Sequence, residues 1–382
     1  MISTSTIEIS SSAYRQNISF IRNLLGSRVE FSSVVKGNAY GHGISEIVPI
    51  AEEAGISHFS VFGSDEARQV KAVAKPTTRL MIMGYIGEDD MEWVVNQDIE
   101  MFISDLHRAE EVLKICKNCS KKAIIHVDVE TGLNRLGLEK EELKQLVRLL
   151  KKYPEYFEVK GLCTHYAGAE SIANYVRIQK QIKRFKEIEA LLQEQGIVPE
   201  IKHTACSAAA ITYPETRMDL VRIGILQYGF WPSKETFIHY IHDKVNKRDP
   251  LQRILKWKSE VMVVKKVRQG EFIGYGNNFM AYKDMKIAII PIGYSDGYSR
   301  SLSNQGKVLI NGERISVVGM VNMNMIIANV CKLPDVKKGD EVIIIGKQGN
   351  NQLSVASFSE MSKQVNYELL TRLPLKIHRK KI

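Results

Sequence analysis

The sequence contains little cysteine and no long apolar run, and these two absences narrow the class of protein. Five cysteines, an odd number in 382 residues, favour a reducing compartment over a disulfide framework. No segment approaches the roughly 20 consecutive apolar residues that a membrane span needs. The opening stretch MISTSTIEIS lacks the basic and apolar regions of a signal peptide. We therefore expect a cytoplasmic protein with no membrane partner.

A zinc site and a nucleic-acid interface are not predicted either. Cys116 and Cys119 form CKNC, but no second ligand pair follows at the spacing of a zinc knuckle, so two thiols near the end of a helix are the simpler interpretation. The formal net charge of +10 favours anionic ligands in general. Because the basic residues are spread along the chain, apart from a dense tail at His378–Lys381, no segment resembles a nucleic-acid-binding module. We predict neither a metal nor a nucleic acid as a partner.

Short apolar or β-branched runs alternate with stretches of helical period over about the first 240 residues. The weakest helical stretch follows Ser207, where Pro214 interrupts it. Eight runs joined by seven crossovers fit an open doubly wound sheet or a closed barrel, and the number eight favours a (β/α)8 TIM barrel. The eight runs are residues 31–35, 58–62, 79–83, 99–104, 123–129, 159–165, 200–207 and 219–225.

The pattern of apolar and turn-forming residues changes beyond about residue 240. Segments such as MKIAIIPIGY and DEVIIIG are strand-like and are separated by Gly, Asn and Pro, which is typical of a mainly β domain. We therefore predict an α/β protein with an N-terminal barrel over residues 11–238 and a C-terminal β-rich domain over residues 239–382. Residues 1–10 are expected to pair with the second domain.

Polar and charged side chains fall at the predicted C-terminal ends of the barrel strands, where such barrels carry their chemistry. Taken alone, a histidine or arginine near a strand end is usually a hydrogen-bonded structural residue, and a lone lysine is usually solvated. Together they converge on one face of the barrel, which indicates a site. These residues are Lys36, Asp128, Arg135, His165, Ser207 and Arg222.

The ends of the last two barrel strands are the usual phosphate site of this fold. Ser207 can donate a hydroxyl there, and Gly224 lets backbone N–H groups approach an anion closely. A pocket lysine combined with a phosphate site suggests pyridoxal 5'-phosphate held as a Schiff base. Many aldolases also combine a lysine with a phosphate site, so these residues alone leave both classes open.

The motif KGNAYGHG, from Lys36 to Gly43, resembles the cofactor-lysine motif of the alanine racemase family, the fold-type III pyridoxal phosphate enzymes. The resemblance runs nearly from end to end, and its strength lies in the order and spacing of the pieces. Other matching segments are IEISSSAYRQNISFIR, ETGLNRLG, THYAG, CSAAA, VRIGILQYG, GYG, PIGYSDGYSR, VGMVNMNM and NYEL.

The resemblance implies a racemase that removes the Cα proton on one face of the substrate and returns a proton on the other. Lys36 would form the Schiff base, and Tyr275 of the partner subunit would be the opposing acid/base. Arg135 would position the substrate carboxylate, assisted by the backbone N–H of Met323 of the partner subunit. Tyr294 would line the entrance. This arrangement implies a homodimer with shared active sites and a small amino-acid substrate.

The resemblance also implies how the cofactor is held. Arg222 would face the pyridine nitrogen, and His165 would link Arg222 to Tyr275, so that these two residues are the candidates for favouring a tyrosinate. Because a guanidinium does not readily give up its proton, the pyridine would stay unprotonated, which favours racemisation over transamination or decarboxylation. The phosphate would be held by Tyr40, Ser207, Gly224 and Ile225.

Asp128 departs from the family pattern. Many relatives carry a lysine two residues before the acid of the corresponding motif, here Glu130, and that lysine is carbamylated to steer the carboxylate-binding arginine. We predict that Asp128 supplies the negative charge directly, beside Arg135 and without a carbamate. The simpler alternative is an outward-facing strand acid.

Two further departures concern the C-terminal domain. Asn324 replaces an aspartate of the family pattern, so a charge is lost beside Met323. No tyrosine follows Tyr367, although the family usually offers a late tyrosine that touches the phosphate. The sequence therefore does not predict that phosphate contact, and it leaves open whether alanine is the only substrate.

The leading hypothesis is a dimeric pyridoxal phosphate alanine racemase that supplies D-alanine for peptidoglycan. A racemase of serine or of basic amino acids, with broader or different specificity, is the second interpretation. A related decarboxylase would need an acidic partner for the ring nitrogen, which the sequence does not show. A non-catalytic pyridoxal phosphate carrier would lack the β domain and Tyr275, and this chain has both.

Overall fold

The computed structural model describes residues 4–355 and 366–382, which fold into two units. The barrel unit comprises Ala13–Lys36 and Ile47–Arg253. The C-terminal unit comprises Met1–Ser12, Gly37–Glu46 and Ile254–Ile382. The segment that follows Lys36 therefore belongs to the C-terminal unit, although the chain runs through the barrel on both sides of it.

The strands and helices are numbered here in chain order. The strands are β1 (Thr6–Ile9), β2 (Glu30–Val34), β3 (His58–Val61), β4 (Arg79–Ile82), β5 (Glu100–Ile103), β6 (Ala123–Asp128), β7 (Phe157–Cys163), β8 (Ile201–His203), β9 (Leu220–Ile223), β10 (Leu255–Glu260), β11 (Val263–Val267), β12 (Met285–Ile290), β13 (Lys307–Ile310), β14 (Glu313–Ser316), β15 (Ile326–Asn329), β16 (Glu341–Gln348), β17 (Asn351–Leu353) and β18 (His378–Lys381). The α-helices are α1 (Ser11–Leu25), α2 (Ile44–Glu53), α3 (Ser64–Lys71), α4 (Met91–Asn96), α5 (Leu106–Cys119), α6 (Lys140–Lys152), α7 (Tyr175–Glu194), α8 (Ser207–Thr212), α9 (Lys234–Ile241) and α10 (Asn366–Thr371).

Eight parallel strands form the barrel, which confirms the predicted (β/α)8 architecture. They pair in the order β8-β7-β6-β5-β4-β3-β2-β9. Between β8 and β9 the ring is nearly closed by backbone hydrogen bonds from Asp219 N–H to the Lys202 carbonyl and from Arg222 N–H to the Ala205 carbonyl, each 3.1 Å long. Because the strands are parallel, all their carboxyl ends lie at one rim, where the predicted site residues are expected to meet.

The barrel strands are continuous apolar runs because both of their faces are buried. In β4, for example, Leu80, Met81 and Ile82 are all buried. The intervening helices are amphipathic; α6 buries Leu143, Leu146, Val147 and Leu150 and leaves its charged residues to solvent. Pro214 ends the helical segment after Ser207, as predicted, so that α8 has only six residues. Among the residues described, no helix combines the length and apolar character needed to cross a lipid bilayer.

The C-terminal unit is built mainly from strands, as predicted. One sheet has the order β14-β13-β16-β10-β1-β18, with β17 added to β16, and a second sheet has the order β11-β12-β15. Strand β1 lies in the first sheet because it pairs antiparallel with β10 and parallel with β18. The basic tail therefore forms an edge strand of this sheet, and within it Arg379 is buried.

Candidate active site

A left-handed turn follows Lys36 at the end of β2. Residues Gly37 to Gly41 all have φ between 51° and 79°, including the three L-residues Asn38, Ala39 and Tyr40. Each L-residue in this conformation costs roughly 1–2 kcal/mol, and such strain is typical of functional sites. Position 41 requires glycine, since a Cβ there would lie 1.8 Å from the backbone oxygen of Leu370. The motif KGNAYGHG is thus explained by a backbone that turns sharply away directly after the lysine.

Interactions within the C-terminal unit hold this turn. The Asn38 side-chain oxygen accepts the Ile44 N–H at 3.0 Å, and Arg379 Nε donates to the Gly41 carbonyl at 3.0 Å. The Tyr40 ring meets the Tyr367 ring edge to face, with centroids 6.2 Å apart. The late residues of the chain therefore fix the conformation that the lysine motif needs.

Lys36 itself lies in a positive environment within the barrel unit. Partial desolvation by the surrounding barrel lowers the pKa of its amine, and the nearby guanidinium groups of Arg135 and Arg222 lower it further, whereas Glu66 opposes them. More than a third of the residue remains exposed, so the amine is desolvated on one side and reachable from solvent on the other. A lysine with a lowered pKa is more often neutral at neutral pH, which a nucleophile or base requires.

Arg222 is buried in β9 and leaves one donor unused. Its Nη1 donates to Nδ1 of His203 at 2.5 Å and to the His203 carbonyl at 2.6 Å. Its Nη2 donates to the carbonyls of Thr164 at 2.7 Å and Thr204 at 3.3 Å. A guanidinium has five N–H groups, and the remaining one, on Nε, makes no hydrogen bond to any residue that the structure describes.

His165 follows β7 and is half-buried. Desolvation lowers its pKa to about 3, and the positive charges of Arg222, Arg135 and Lys36 act in the same direction. Its imidazole is therefore neutral at neutral pH. The positive charge at this rim comes from the guanidinium groups and not from the histidine.

Arg135 is carried by a loop that a carboxylate organises. Glu130 accepts the backbone N–H groups of Gly132, Leu133 and Asn134, the last two at 2.8 Å. The Arg135 side chain is exposed, so it is able to reach a ligand. The acid of the ETG sequence thus holds the loop that carries Arg135.

Asp128 is buried at the end of β6. The alternative interpretation, an outward-facing strand acid, does not agree with this burial. Burial raises the pKa of its carboxyl to about 6, against the opposing effects of Arg222, Ser104 and Arg135. Ser104 Oγ donates to it at 3.2 Å. Within the described part of the chain no ion pair shorter than 4.0 Å joins it to Arg135, which lies within electrostatic reach.

Ser207 and Gly224 meet at the predicted phosphate position of the barrel. The Gly224 N–H donates to Ser207 Oγ at 3.0 Å, which leaves the serine hydroxyl hydrogen as a donor for a ligand. Gly224 has φ −100° and ψ −98°, and Ile225 begins a 3-10 turn that ends at Tyr228. The strand-to-turn junction thus presents a hydroxyl donor beside a bend in the backbone.

The C-terminal unit presents Tyr275, Tyr294 and Met323 on loops. Tyr275 lies at the tip of a hairpin closed by the Ile273 N–H to Phe279 carbonyl bond of 2.9 Å. The Tyr294 N–H donates to the Asn322 carbonyl at 3.0 Å, which joins the Tyr294 and Met323 loops. The side chains of Tyr275, Met323 and Tyr294 are 74%, 56% and 43% exposed.

The barrel residues fit a pyridoxal phosphate group. Lys36 supplies an amine with a lowered pKa, Ser207 supplies a hydroxyl donor, and the buried Arg222 has one N–H without an acceptor among the described residues. That N–H suits an unprotonated ring nitrogen, which is an acceptor. The fit rests on these donors and not on any bound group.

Sequence reasoning does not single out Glu100, His126 and His203, which lie fully or almost fully buried inside the barrel. His203 hydrogen-bonds Arg222, and His126 hydrogen-bonds both His203 and Glu100. Each residue interrupts an apolar strand run, IEMFIS, AIIHVDV or EIKHTACS. A titratable side chain inside an apolar strand run is the sequence pattern that could have identified these three residues.

Comparison with known proteins gives one family over almost the whole chain. Residues 9–232 match the alanine racemase N-terminal domain and residues 254–381 match the alanine racemase C-terminal domain. Alanine racemase of Methanococcus maripaludis is 36% identical over 374 residues, which is 97% of each chain.

Solved structures agree with this comparison. Alanine racemase from Bacillus anthracis with bound L-Ala-P is 30% identical, with a TM-score of 0.90 over 100% of this chain and 96% of that one. Alanine racemase from Bartonella henselae with covalently bound pyridoxal phosphate is 28% identical, with a TM-score of 0.84 over 100% of both chains.

Proposed function

The chain belongs to the alanine racemase family of isomerases, and from this premise we propose that it interconverts L-alanine and D-alanine with pyridoxal 5'-phosphate bound at Lys36. The observation that carries the proposal is the Lys36 amine, whose pKa is lowered at the barrel rim beside Arg135 and Arg222. We further propose that the D-alanine serves peptidoglycan synthesis and that the enzyme is cytoplasmic. The cytoplasmic location is supported by the five cysteines, all of which are free thiols.

Lys36 is proposed to act twice. Its neutral amine would hold the cofactor at the aldehyde, and the same amine, when it is not bonded to the cofactor, would be the base on one face of the substrate Cα. The lowered pKa supports both roles because a protonated ammonium can neither attack an aldehyde nor accept a proton.

Arg222 is proposed to hold the ring nitrogen through its Nε–H. Bound pyridoxal phosphate withdraws electrons from the substrate Cα and makes its proton acidic. Because a guanidinium retains its proton, Arg222 limits this withdrawal, and the proton is returned to Cα before other bonds rearrange. Ser207, Gly224 and Ile225 are proposed to hold the phosphate, together with Tyr40.

Tyr275 of the partner subunit is proposed to be the base on the opposite face of Cα. Its high exposure in one protomer supports this, since a catalytic tyrosine of the same chain would be expected in a pocket. Met323 and Tyr294, joined to each other through the backbone, are proposed to enter the same site from the partner. The exposed apolar side chains of these loops support a homodimer.

Arg135 is proposed to bind the substrate carboxylate, and the buried Asp128 to supply the negative charge that steers it. The electrostatic coupling between Asp128 and Arg135 supports this pairing at a distance and without a carbamate. His165 is proposed to be a neutral hydrogen-bonding link beside Arg222.

The proposal is tested by incubating the cofactor-loaded protein with L-alanine or D-alanine in heavy water. We expect deuterium at Cα and loss of optical activity from either enantiomer. The Lys36→Ala variant should lose both, together with the visible absorbance of the bound cofactor, and an exposed-lysine control such as Lys140→Ala should keep them.

Serine, lysine and arginine in the same assay test the substrate. Racemisation of one of these amino acids but not of alanine would contradict the proposed substrate and leave the family unchanged. Deuterium exchange without inversion would contradict the use of two bases.

A further inference from the structure

A chain of buried polar side chains crosses the barrel interior behind Arg222. Nδ1 of His203 lies 2.5 Å from Arg222 Nη1, and Nε2 of His203 lies 2.7 Å from Nδ1 of His126. Nε2 of His126 lies 2.9 Å from Oε2 of Glu100, and His58 approaches the same oxygen at 3.1 Å. These five residues come from five different strands, and the proposed function uses only Arg222.

The donor-only guanidinium at one end of this chain and the ionised carboxylate at the other require the same direction of the hydrogen bonds. A guanidinium has no acceptor, so Arg222 donates to Nδ1 of His203. A neutral His203 then carries its proton on Nε2 and donates to Nδ1 of His126. His126 in turn donates from Nε2 to the Glu100 carboxylate. Every donor therefore points from the guanidinium toward the carboxylate.

The charges inside the barrel agree with this direction. Desolvation lowers the pKa of both His126 and His203, which keeps the two rings neutral. Burial alone would raise the pKa of Glu100, but the hydrogen bonds from His126 and His58 outweigh it and lower the pKa, so the carboxylate stays ionised. A neutral imidazole has one donor and one acceptor, and an ionised carboxylate at one end leaves the two rings a single consistent arrangement.

Without the acceptor at residue 100, the directions of the hydrogen bonds between Arg222, His203 and His126 would no longer be fixed from both ends. His126 could then carry its proton on Nδ1, and His203 would respond with its proton on its own Nδ1, directly against an Arg222 N–H. Two donors would face each other 2.5 Å apart, and the guanidinium would have to shift. Since four of the Arg222 N–H groups are committed to fixed acceptors, a shift there moves the Nε–H that remains for a ligand.

We propose that Glu100 is a positioning residue for racemisation: its carboxylate fixes the tautomers of His126 and His203, and these hold Arg222 with its Nε–H available to the cofactor ring nitrogen. Glu100 touches neither substrate nor cofactor in this scheme. The inference rests on the proposed function, because it assigns a task to Arg222 in that reaction.

The Glu100→Leu variant removes the acceptor. In the loaded enzyme we expect kcat for alanine to fall about tenfold to a hundredfold, as for other residues that orient a site residue, with KM nearly unchanged because Arg135 is untouched. In the ¹⁵N-labelled full chain, the ring nitrogens of His203 should change from the single Nε2–H tautomer to a mixture. Glu100→Gln keeps an oxygen acceptor and should restore most of kcat and the single tautomer.

His126→Phe breaks the same chain at another point and serves if Glu100→Leu does not fold. Glu30→Leu is the matched control. Glu30 pairs with Arg79, which also approaches Glu100, but among the described residues Glu30 itself has no side-chain hydrogen bond to the histidines. The Glu30→Leu variant should leave kcat and the His203 signals unchanged.

Wild-type kcat and an unchanged His203 tautomer in a folded Glu100→Leu or His126→Phe protein would overturn the inference. A wild-type protein that racemises no alanine would instead overturn the proposed function, so the two failures are distinguishable.

Discussion

The barrel unit and the C-terminal unit carry their candidate site residues in opposite ways. In the barrel, Arg222 and Asp128 are only 5% and 7% exposed and are fixed by several partners. In the C-terminal unit, Tyr275 and Met323 lie on loops and are more than half exposed. The barrel thus fixes Arg222 and Asp128 within one chain, whereas Tyr275 and Met323 are open to solvent in the single chain, as their proposed roles in the partner's site require.

The two units differ because of their secondary structure. Parallel barrel strands direct alternate side chains into a closed interior, where every polar group must find a partner. Hairpin tips and connecting loops run over the surface and have no such interior, so their side chains stay exposed in the single chain.

The largest effect is expected when one of the two proposed bases is removed from each protomer. Lys36→Ala and Tyr275→Phe homodimers should each lose nearly all activity in at least one direction, by about 10² to 10⁴-fold. If Tyr275 acts in the partner's site, mixed dimers regain one intact site of two, and a random mixture should recover about a quarter of wild-type activity. Racemisation measured after dissociation and reassociation checks this.

No recovery in that mixture would place both bases in one chain and would remove the contrast between the units. Two Lys36→Ala preparations mixed in the same way are the control and should remain inactive.

The next largest effect concerns the left-handed turn of the C-terminal unit. Gly41→Ala adds a Cβ 1.8 Å from the Leu370 oxygen at φ +79°, and we expect a loss of about 3 kcal/mol or more in the free energy of unfolding. Gly339→Ala in the same unit has φ +88° and open space, so it should cost only about 1 kcal/mol. Urea unfolding measures both, and equal losses would show that the close approach is unimportant.

A smaller, pH-dependent effect is expected at Asp128 in the barrel. Burial raises the pKa of its carboxyl to about 6, so it loses its negative charge as the pH falls below 6. The KM for alanine should then rise by up to about tenfold, which corresponds to about 1.4 kcal/mol, because Arg135 is no longer steered. Asp128→Asn should show the high KM at every pH, measured from pH 5 to pH 9.

The stability of the Asp128 variant provides the control. A folded-state pKa raised from 3.8 means that the fold favours the neutral acid, and this contribution is lost as the pH rises from about 4 to 6. Asp128→Asn should therefore unfold no more readily than wild type at pH 8. A wild-type KM in this stable variant would contradict the steering role.

The smallest effect is expected at Tyr367. Tyr367→Leu removes the edge-to-face ring contact with Tyr40, which is worth about 0.5–1.5 kcal/mol, so cofactor retention should weaken roughly threefold. Tyr367→Phe keeps the ring and should bind the cofactor as wild type does. Fluorescence titration of the cofactor-free protein checks both, and equal losses would point to the hydroxyl instead.

Most of the barrel was predictable from the sequence, because strands and helices are indicated by the spacing of apolar residues within short segments. All eight predicted runs contain a strand, and Arg135 and Arg222 lie within electrostatic reach of both Lys36 and Asp128. The basic tail was not predictable as a strand of the C-terminal sheet, since HRKK has no strand-like alternation of apolar residues. The roles of Tyr275 and Met323 remain predictions that the single chain leaves untested.

The sequence by itself determined the order of strands and helices, the lysine at the end of its strand and the glycines that let the backbone turn after it. These features depend on neighbouring residues, and periodicity and backbone sterics act over a few residues. Only the tertiary structure decided that His126 meets His203, 77 residues away, and that Arg379 supports the turn at Gly41. Hydrogen bonds between residues of different strands depend on how the strands are placed when the barrel closes. The pattern of neighbouring residues in the sequence does not indicate that placement.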